Sequence, residues 1–229
     1  MAWLWNNLDL VLGLTAEHAR LAGIPILIGF AASLPLGWLA SRVRWLRAVV
    51  LTVFNVVYTI PSLALFVVLP LILGTKILDD LNVIVALSLY AIAMMLRGTI
   101  DAFGSVSGDV LQSATAQGFS GPSRFWTVQF PLAGPVLLAN LRVVSVSTVS
   151  LLSVAALVGS GGLGYLFTNG YSRSFIDEIV IGIVFTVLLA LVFDSILVLA
   201  GRLLMPWNRR AKTPTRIPFL KAIVPGRVG

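Results

Sequence analysis

The sequence contains no cysteine and a single histidine, His18. The first absence excludes disulfide bonds and thiolate metal sites, and the second leaves no cluster of histidine ligands for a metal ion. Charged residues are also scarce, at 11% of the chain, compared with about 25% in an average soluble domain. A soluble fold built from this chain would lack the polar surface that water requires.

Apolar sequence is abundant instead: 58% of the 229 residues are hydrophobic and the mean hydropathy is +0.99. Five apolar blocks each reach the ~20 residues that cross about 30 Å of hydrocarbon as a helix. They cover residues 21–40, 48–73, 81–100, 131–158 and 176–204. The sequence therefore predicts an all-α integral membrane protein, a helical bundle of about five transmembrane helices. Pro61 and Pro70 are expected to kink or break the second block, which makes six the alternative number.

The two ends of the chain differ from this core. Residues 1–18 combine Trp3 and Trp5 with polar residues, which suits a helix lying at the membrane surface; a frayed terminus is the alternative. No cleavable signal peptide is expected, because a basic region followed by an apolar core and a small-residue site is missing. The predicted organisation is an interfacial segment at 1–18, a transmembrane domain at 19–205 and a basic tail at 206–229.

Basic residues predict the orientation. Arg42, Arg44 and Arg47 crowd the first loop, and more follow the last apolar block. These later ones are Arg202, Arg209, Arg210, Lys212, Arg216, Lys221 and Arg227. By the positive-inside rule, the N-terminus lies outside, and the C-terminus and the 105–130 segment face the cytoplasm. The net charge of +7 is interpreted as an orientation signal and a contact with anionic lipid headgroups. We expect no binding of nucleic acid.

No catalytic constellation is visible. The acidic pairs Asp79-Asp80 and Asp177-Glu178 lie in predicted outer loops without a histidine partner, and we interpret them as solvated loop charge. The glycine-rich loop at 159–164 lacks the Gly-Lys-Ser/Thr ending of a phosphate-binding loop. Its glycines are expected to allow a tight reversal and a close helix approach. They are Gly159, Gly161, Gly162 and Gly164. We expect this chain to bind no metal or cofactor.

The predicted cytoplasmic segment carries apolar residues at roughly helical spacing. They are Val110, Leu111, Ala114 and Phe119, with polar residues between them. Gly118 is expected to end this helix. The pattern fits a docking helix for a partner, and equally a loop helix packed on its own bundle.

This segment resembles the cytoplasmic signature of bacterial ABC importer permeases. That signature is Glu-Ala-Ala, three residues, Gly, nine residues, then an apolar residue, one residue and Leu-Pro. The chain keeps every spacing with Gln112-Ser113-Ala114, Gly118, Val128 and Phe130-Pro131. In that family the segment is the coupling helix, which sits in a groove of the ATP-hydrolysing subunit. The resemblance implies ATPase-coupling roles for Gln112, Ser113, Ala114, Gly118, Phe119 and Pro131.

Two departures from the signature are present. Gln112 replaces the usual Glu, and Ser113 replaces an Ala. The lost carboxylate implies either a weakened contact to the ATPase or a heterodimer whose other chain keeps the acid.

Further motifs are similar to the osmoprotectant branch of that family, over about residues 15–205. They are His18-Ala-Arg-Leu and the stretches 58–65, 96–99, 137–142 and 157–164. The resemblance implies a type I ABC importer permease for glycine betaine, choline, carnitine or a related compatible solute, in the bacterial inner membrane. It implies alternating access driven by two separate ATPase subunits, which bind ATP and Mg²⁺, and delivery by an extracytoplasmic substrate-binding protein. A second permease chain is also implied, with a related paralogue slightly favoured over an identical copy.

Three other interpretations stay open. A permease for methionine or another amino acid would share the coupling segment. A secondary transporter would usually show inverted repeats and functional membrane carboxylates. A membrane scaffold that transports nothing is the third.

Polar residues inside the apolar blocks are candidates for a translocation path, because they are costly in hydrocarbon unless they face a cavity or a partner. The candidates are Asn55, Tyr58, Thr59, Pro61, Ser62, Ser145 and Thr148. Contacts between helices are the alternative role for the hydroxyl residues. Arg142 and Asp194 are the deepest charges, and we expect them to form an ion pair.

Overall fold

The computed structural model of the chain describes residues 2–208, with the side chain of Ala2 left out. All regular secondary structure in this part of the chain is helical, and it contains no strand. The helices are α1 (Ala2–Asn6), α2 (Leu8–Arg42), α3 (Arg44–Thr59), α4 (Ser62–Leu73), α5 (Asp80–Gly104), α6 (Gly108–Ala116), α7 (Gly121–Arg124), α8 (Phe130–Ala155), α9 (Gly164–Ser172) and α10 (Ile176–Leu204). A π-helical turn, Phe125–Gln129, joins α7 to α8, and short 3₁₀ turns follow α8 and α10.

Four helical stretches within residues 2–208 are long and apolar enough to cross a membrane: α2, α5, the continuous run Gly121–Val158, and α10. The helices α3 and α4, which are bent by 101° at the break between them, provide a fifth crossing when they are counted as one broken span. The prediction of about five spans is confirmed. The alternative of six is not supported, because the 12 residues of α4 extend only about 18 Å at 1.5 Å per residue.

The break between α3 and α4 has a clear local cause. Pro61 has no N–H to donate and restricts the residue before it to extended backbone. Ile60 accordingly has φ −67° and ψ 128°. The predicted break at Pro61 is confirmed.

The first span begins earlier than the apolar block alone indicates. Helix α2 has 35 residues and is therefore about 52 Å long, so it is longer than the hydrocarbon is thick. It runs without interruption across the predicted boundary between residues 18 and 19. An interfacial position for residues 1–18 stays a prediction. Most of the predicted basic tail, residues 209–229, lies outside the described residues.

The core forms where α2 packs along α5 and α5 packs against α8. Small residues let α2 and α5 approach closely. A Cβ added at Gly29 would lie 2.6 Å from the Cβ of Ala91, and one at Gly37 would lie 2.5 Å from Cγ2 of Thr99. The buried aliphatic residues Leu21 and Leu87 fill the same interface.

The connecting segments gather at two opposite ends of the bundle. At one, called the α6 end here, Arg47 pairs with Asp101 at 3.3 Å, and α6 and α7 lie nearby. At the other, called the glycine-loop end, Arg20 pairs with Asp80 and residues 159–164 pack on α2. The segments predicted to face the cytoplasm thus share one end.

Candidate functional site

Helix α6 is short, and both of its ends are capped by its own residues. At its start the Ser107 hydroxyl accepts the N–H of Asp109 at 3.3 Å. At its end the N–H of Gly118 donates to the carbonyl of Thr115 at 3.0 Å, and that of Phe119 to Ala114 at 3.2 Å. This pair of bonds is a Schellman motif, which needs a left-handed residue after the helix. Gly118 supplies it with φ +87°, so the predicted helix end is confirmed.

The faces of α6 differ in exposure. Ala114 is buried, and Leu111 and Phe119 are partly buried, so this side of the predicted stripe lies on the bundle. Val110 belongs to the same stripe by spacing, but it is 42% exposed. The polar residues Gln112, Ser113 and Gln117 are exposed in the neighbouring positions. The helix therefore packs on its own bundle and still presents a polar surface outward.

The segment after α6 connects it to two spans. The Arg124 side chain donates to the hydroxyl of Thr115 at 2.5 Å. At the end of the π-helical turn, Gln129 is buried, and its Oε1 accepts from Trp38 Nε1 at 3.2 Å and from Arg42 at 3.4 Å. Pro131 lies in the first turn of α8. A displacement of α6 would therefore reach both α2 and α8.

Sequence reasoning missed Gln129. The available signal was its position as a lone amide between the apolar residues Val128 and Phe130, directly before Pro131. A buried amide needs hydrogen-bond partners, so this position indicated a contact with another element. The local sequence does not indicate which element Gln129 contacts.

At the opposite end, the glycine-rich loop is held by two adjacent residues of α2. Gly162 donates its N–H to Glu17 Oε2 at 3.1 Å, and Leu163 donates to His18 Nδ1 at 3.1 Å. Gly159 and Gly162 have φ values of +83° and +87°, which glycine adopts without strain. This confirms the predicted tight reversal.

Close approach is also confirmed in this loop. A Cβ at Gly161 would collide with the Glu17 carboxylate, and one at Gly164 would lie 2.5 Å from the Ser153 carbonyl oxygen. Gly164 is therefore limited to glycine by backbone, whereas a side chain at position 161 would have to displace the Glu17 carboxylate.

His18 is fully buried and uses both ring nitrogens. Nδ1 accepts from Leu163, so it carries no proton, and Nε2 donates to the carbonyl of Val149 at 3.0 Å. The imidazole is therefore the neutral Nε2–H tautomer and joins α2, α8 and the glycine-rich loop. Sequence reasoning noted His18 only as a lone histidine and as part of a family motif.

The residues of the two acidic pairs have different surroundings. Asp79 caps α5 by accepting the N–H of Leu81 at 3.0 Å, and Asp80 pairs with Arg20. The prediction of solvated loop charge is wrong for Glu178, whose side chain is fully buried. Helix α9 folds back over the first turn of α10, and Asn169 donates to Glu178 Oε1 at 2.7 Å.

Most of the candidate path residues around the Pro61 break are exposed. Asn55, Thr59 and Pro61 are exposed, and Ser62 is partly buried. Tyr58 is 51% exposed.

Two tyrosines meet at this break. The ring of Tyr58 packs edge-on against Tyr90, with centroids 5.8 Å apart. The Tyr90 hydroxyl donates to the carbonyl of Ile60. The break therefore carries a half-exposed tyrosine ring.

Ser145 and Thr148 are placed differently. Both are buried on α8 within this chain, and the Thr148 hydroxyl donates to the Val144 carbonyl at 2.8 Å. This placement favours the alternative of helix contacts, and a role in the path stays a prediction.

The expected ion pair between Arg142 and Asp194 is confirmed. Nε of Arg142 lies 2.6 Å from Asp194 Oδ1, and Nη2 of Arg142 lies 2.8 Å from Asp194 Oδ2. This two-pronged geometry joins α8 to α10 and is the stronger form of a guanidinium–carboxylate contact.

The chain is 31% identical to the osmoprotectant import permease protein OsmW of Salmonella typhimurium over 198 residues, covering 85% of this chain and 92% of that protein. It is 32% identical to the glycine betaine/carnitine/choline transport system permease protein OpuCD of Bacillus subtilis, covering 87% of this chain and 83% of that one.

Among solved structures, an inward-facing form of the MetNI methionine ABC transporter contains a chain with the same fold. The TM-score is 0.71 at 21% identity, over 87% of this chain and 96% of that chain.

The match to a family covers residues 33–210 and includes the coupling signature, the Pro61 break and the glycine-rich loop. The chain belongs to the binding-protein-dependent transport system inner membrane component family, the multi-pass permease subunits of ABC importers.

Proposed function

We propose that this chain is the permease subunit of an importer for a compatible solute that carries a quaternary ammonium group. Relatives that are 29–32% identical over 84–94% of this chain are named as osmoprotectant, choline or glycine betaine/carnitine/choline permeases. The observation that carries the coupling mechanism is α6, a capped helix whose exposed polar residues stand at one end of the bundle.

In this mechanism ATP is hydrolysed by other subunits of the importer, not by this chain. Two separate ATPase subunits bind ATP and Mg²⁺, and this chain binds neither. Gln112, Ser113 and Gln117 offer hydrogen-bonding groups to a groove of the ATPase, and Gly118 lets the partner approach the backbone. Motion of α6 reaches α8 through Arg124 and the π-helical turn.

The α6 end faces the cytoplasm, and the N-terminus faces outward. Arg42, Arg44 and Arg47 support this orientation, because basic loops are retained in the cytoplasm. The glycine-loop end then meets the extracytoplasmic substrate-binding protein, which delivers the solute.

The solute passes along the face that contains the Pro61 break. An exposed tyrosine ring attracts a quaternary ammonium group by cation–π interaction, and Tyr58 offers such a ring beside the polar residue Asn55. A second permease chain closes this face, because the polar residues on it would otherwise meet lipid. The substitution of Gln112 for Glu slightly favours a related paralogue over an identical copy.

Transport in reconstituted vesicles tests the proposal. The chain is co-expressed with the ATPase, the second permease and the binding protein of its own transport system, and uptake of radiolabelled glycine betaine and choline is measured with ATP inside the vesicles. We expect uptake that requires ATP and the binding protein. The Gly118→Asp variant should insert normally and lose at least about tenfold in uptake, because a side chain blocks the close approach of the ATPase.

Three results would redirect the assignment. Uptake driven by an ion gradient without ATP would identify a secondary transporter, and no uptake of any solute would favour a scaffold. ATP-driven uptake of methionine in preference to choline would keep the importer and change its substrate.

The path residues need a separate control. Tyr58→Phe keeps an aromatic ring and should retain choline uptake, whereas Tyr58→Leu should lose most of it. Equal uptake by both variants would remove Tyr58 from the path.

A further inference from the structure

An apolar groove lies between the last turns of α2 and the segment that follows α6. Its volume is about 610 Å³, within the roughly 300–1,000 Å³ of typical ligand pockets. Aliphatic and aromatic side chains form its walls: Leu34, Trp38, Phe125, Trp126 and Phe130. Trp126 is 65% exposed at its edge. The groove is therefore open to whatever surrounds this end of the bundle.

Two arginines lie close to this groove: Arg42 lines it, and Arg124 directly precedes its wall residue Phe125. Arg42 is the last residue of α2 and lies over the Trp38 ring, 4.1 Å from its centroid. Arg124 precedes the aromatic wall and is close enough to repel Arg42 electrostatically. Its Nε is buried and has no hydrogen-bond partner. Among residues 2–208, neither guanidinium has a carboxylate within 4.0 Å.

This arrangement favours the binding of an anion. Two cations held side by side repel each other, and a buried donor without a partner is costly. The groove beside them is lined by apolar groups. A ligand that satisfies both parts must carry negative charge at one end and an apolar chain at the other.

The position in the membrane agrees with such a ligand. Arg42 marks the end of a span, where tryptophans such as Trp38 and Trp126 favour the level of the lipid headgroups. Basic pockets between transmembrane helices at this level suit anionic headgroups. We propose that the groove binds an anionic phospholipid, with an acyl chain along the aromatic wall and the phosphate on Arg42 and Arg124.

The bound lipid would connect α2 to the segment that carries α6. Gln129 already joins these elements by accepting from Trp38 and Arg42. The lipid would offset the repulsion between the two arginines and fill the space between the same elements. This site is distinct from the proposed solute path at Pro61.

Native mass spectrometry of the assembled transporter tests the site. Phosphatidylglycerol and phosphatidylcholine with identical acyl chains are titrated separately. We expect tighter retention of phosphatidylglycerol, reduced about fivefold by Arg42→Gln and roughly thirtyfold by Arg42→Gln with Arg124→Gln. Arg42→Lys should retain binding within about twofold, because it keeps the charge. Arg44→Gln is the matched control, since Arg44 is exposed at the same end and lies outside the groove.

A second variant separates the headgroup from the acyl chain. Ala31 lines the groove and is exposed, so Ala31→Trp should fill the groove and remove the tight lipid while leaving both arginines. Glycerol phosphate, which has no acyl chain, should not displace phosphatidylglycerol from the unmodified protein.

Several outcomes would overturn the proposal. They are equal retention of both lipids, unchanged retention by Ala31→Trp, or full displacement by glycerol phosphate. Cross-linking of an Ala31→Cys variant to the second permease chain would identify the groove as a subunit contact instead. Thermal unfolding of each variant shows whether a loss of lipid reflects a loss of fold.

Discussion

The two ends of the bundle each contain a glycine in the left-handed conformation, but the surroundings of the two glycines differ. Each contains a glycine at φ +87°, Gly118 at the α6 end and Gly162 at the glycine-loop end. A Cβ at Gly118 would meet nothing within 4 Å, whereas one at Gly162 would lie 2.9 Å from His18 Nδ1. The first glycine turns the chain in open space, and the second turns it against a buried hydrogen-bond network.

We infer from this difference that the two ends of the bundle have different roles. The loop at 159–164 is held by hydrogen bonds from Glu17 and His18 of α2, which lie far away in the sequence. Helix α6 owes its shape mainly to its own caps and leaves its polar residues exposed. A rigid end and an end with free polar groups suit a protein in which motion is received from a partner at one side only.

The Arg142–Asp194 ion pair lies between the two ends of the bundle. Its disruption should give the largest effect of the substitutions considered. We expect Arg142→Gln and Asp194→Asn each to abolish assembly, because a single charge remains without its partner in the membrane. The double variant should restore assembled protein, measured by size-exclusion chromatography in detergent. Absence of rescue would mean that the two residues act separately.

Removal of His18 should give the next largest effect. His18→Ala leaves the buried N–H of Leu163 without its acceptor, at a cost of about 1–3 kcal/mol, whereas the Val149 carbonyl keeps its helical partner within α8. The cavity left by the fully buried ring adds about 2–5 kcal/mol, so the total loss in the free energy of unfolding is roughly 3–8 kcal/mol. At the α6 end, Thr115→Ala breaks an exposed bond to Arg124 and should change stability by no more than about 0.5 kcal/mol. Thermal unfolding measures both variants. Similar losses of stability for His18→Ala and Thr115→Ala would contradict the proposed difference between the two ends.

The two glycines allow a matched comparison with a smaller effect. Gly118→Ala should cost about 1–2 kcal/mol, because only the left-handed backbone is strained. Gly162→Ala carries the same strain and must also displace His18, which adds about 1–3 kcal/mol of overpacking. Thermal unfolding in one detergent compares them directly. A greater loss for Gly118→Ala would contradict the assignment of rigid and exposed ends.

Part of this contrast was predictable from the sequence, because it depends on local chemistry. Pro61 removes a donor and restricts its neighbour, so the break in the second apolar block followed from one residue. Gly118 after an amphipathic stretch indicated the end of α6 for the same reason. The Arg142–Asp194 pair followed from the cost of lone charges in hydrocarbon.

The rigid end was not predictable in this way. His18 contacts residues 131 and 145 positions away, and no local pattern encodes such a pairing. The sequence predicted that Glu178 is a solvated loop charge, but in the structure α9 covers this residue and Asn169 donates to its carboxylate. These contacts arise from packing of the spans, which sequence periodicity describes only as apolar.

Capping gives the smallest expected effect. Ser107→Ala removes the N-cap of α6, and Asp79→Ala removes that of α5, each at a cost of about 1 kcal/mol. Because α6 has only nine residues, hydrogen exchange should rise along all of it after Ser107→Ala. In the 25 residues of α5, the increase should stay within the first turn. Exchange confined to the first turn in both helices would indicate that α6 is held by its partners rather than by its caps.

The most direct test of the account is the side of the membrane on which α6 is found, and whether a motor protein covers it. The chain contains no cysteine, so Ser113→Cys and Ser172→Cys each provide a single thiol, at the α6 end and at the glycine-loop end. We predict that an impermeant thiol reagent labels Ser113→Cys only from the cytoplasmic side, with protection when the ATPase subunits are bound, and labels Ser172→Cys only from outside. Labelling of Ser113→Cys from outside, or equal labelling with and without the ATPase, would contradict α6 as the coupling helix.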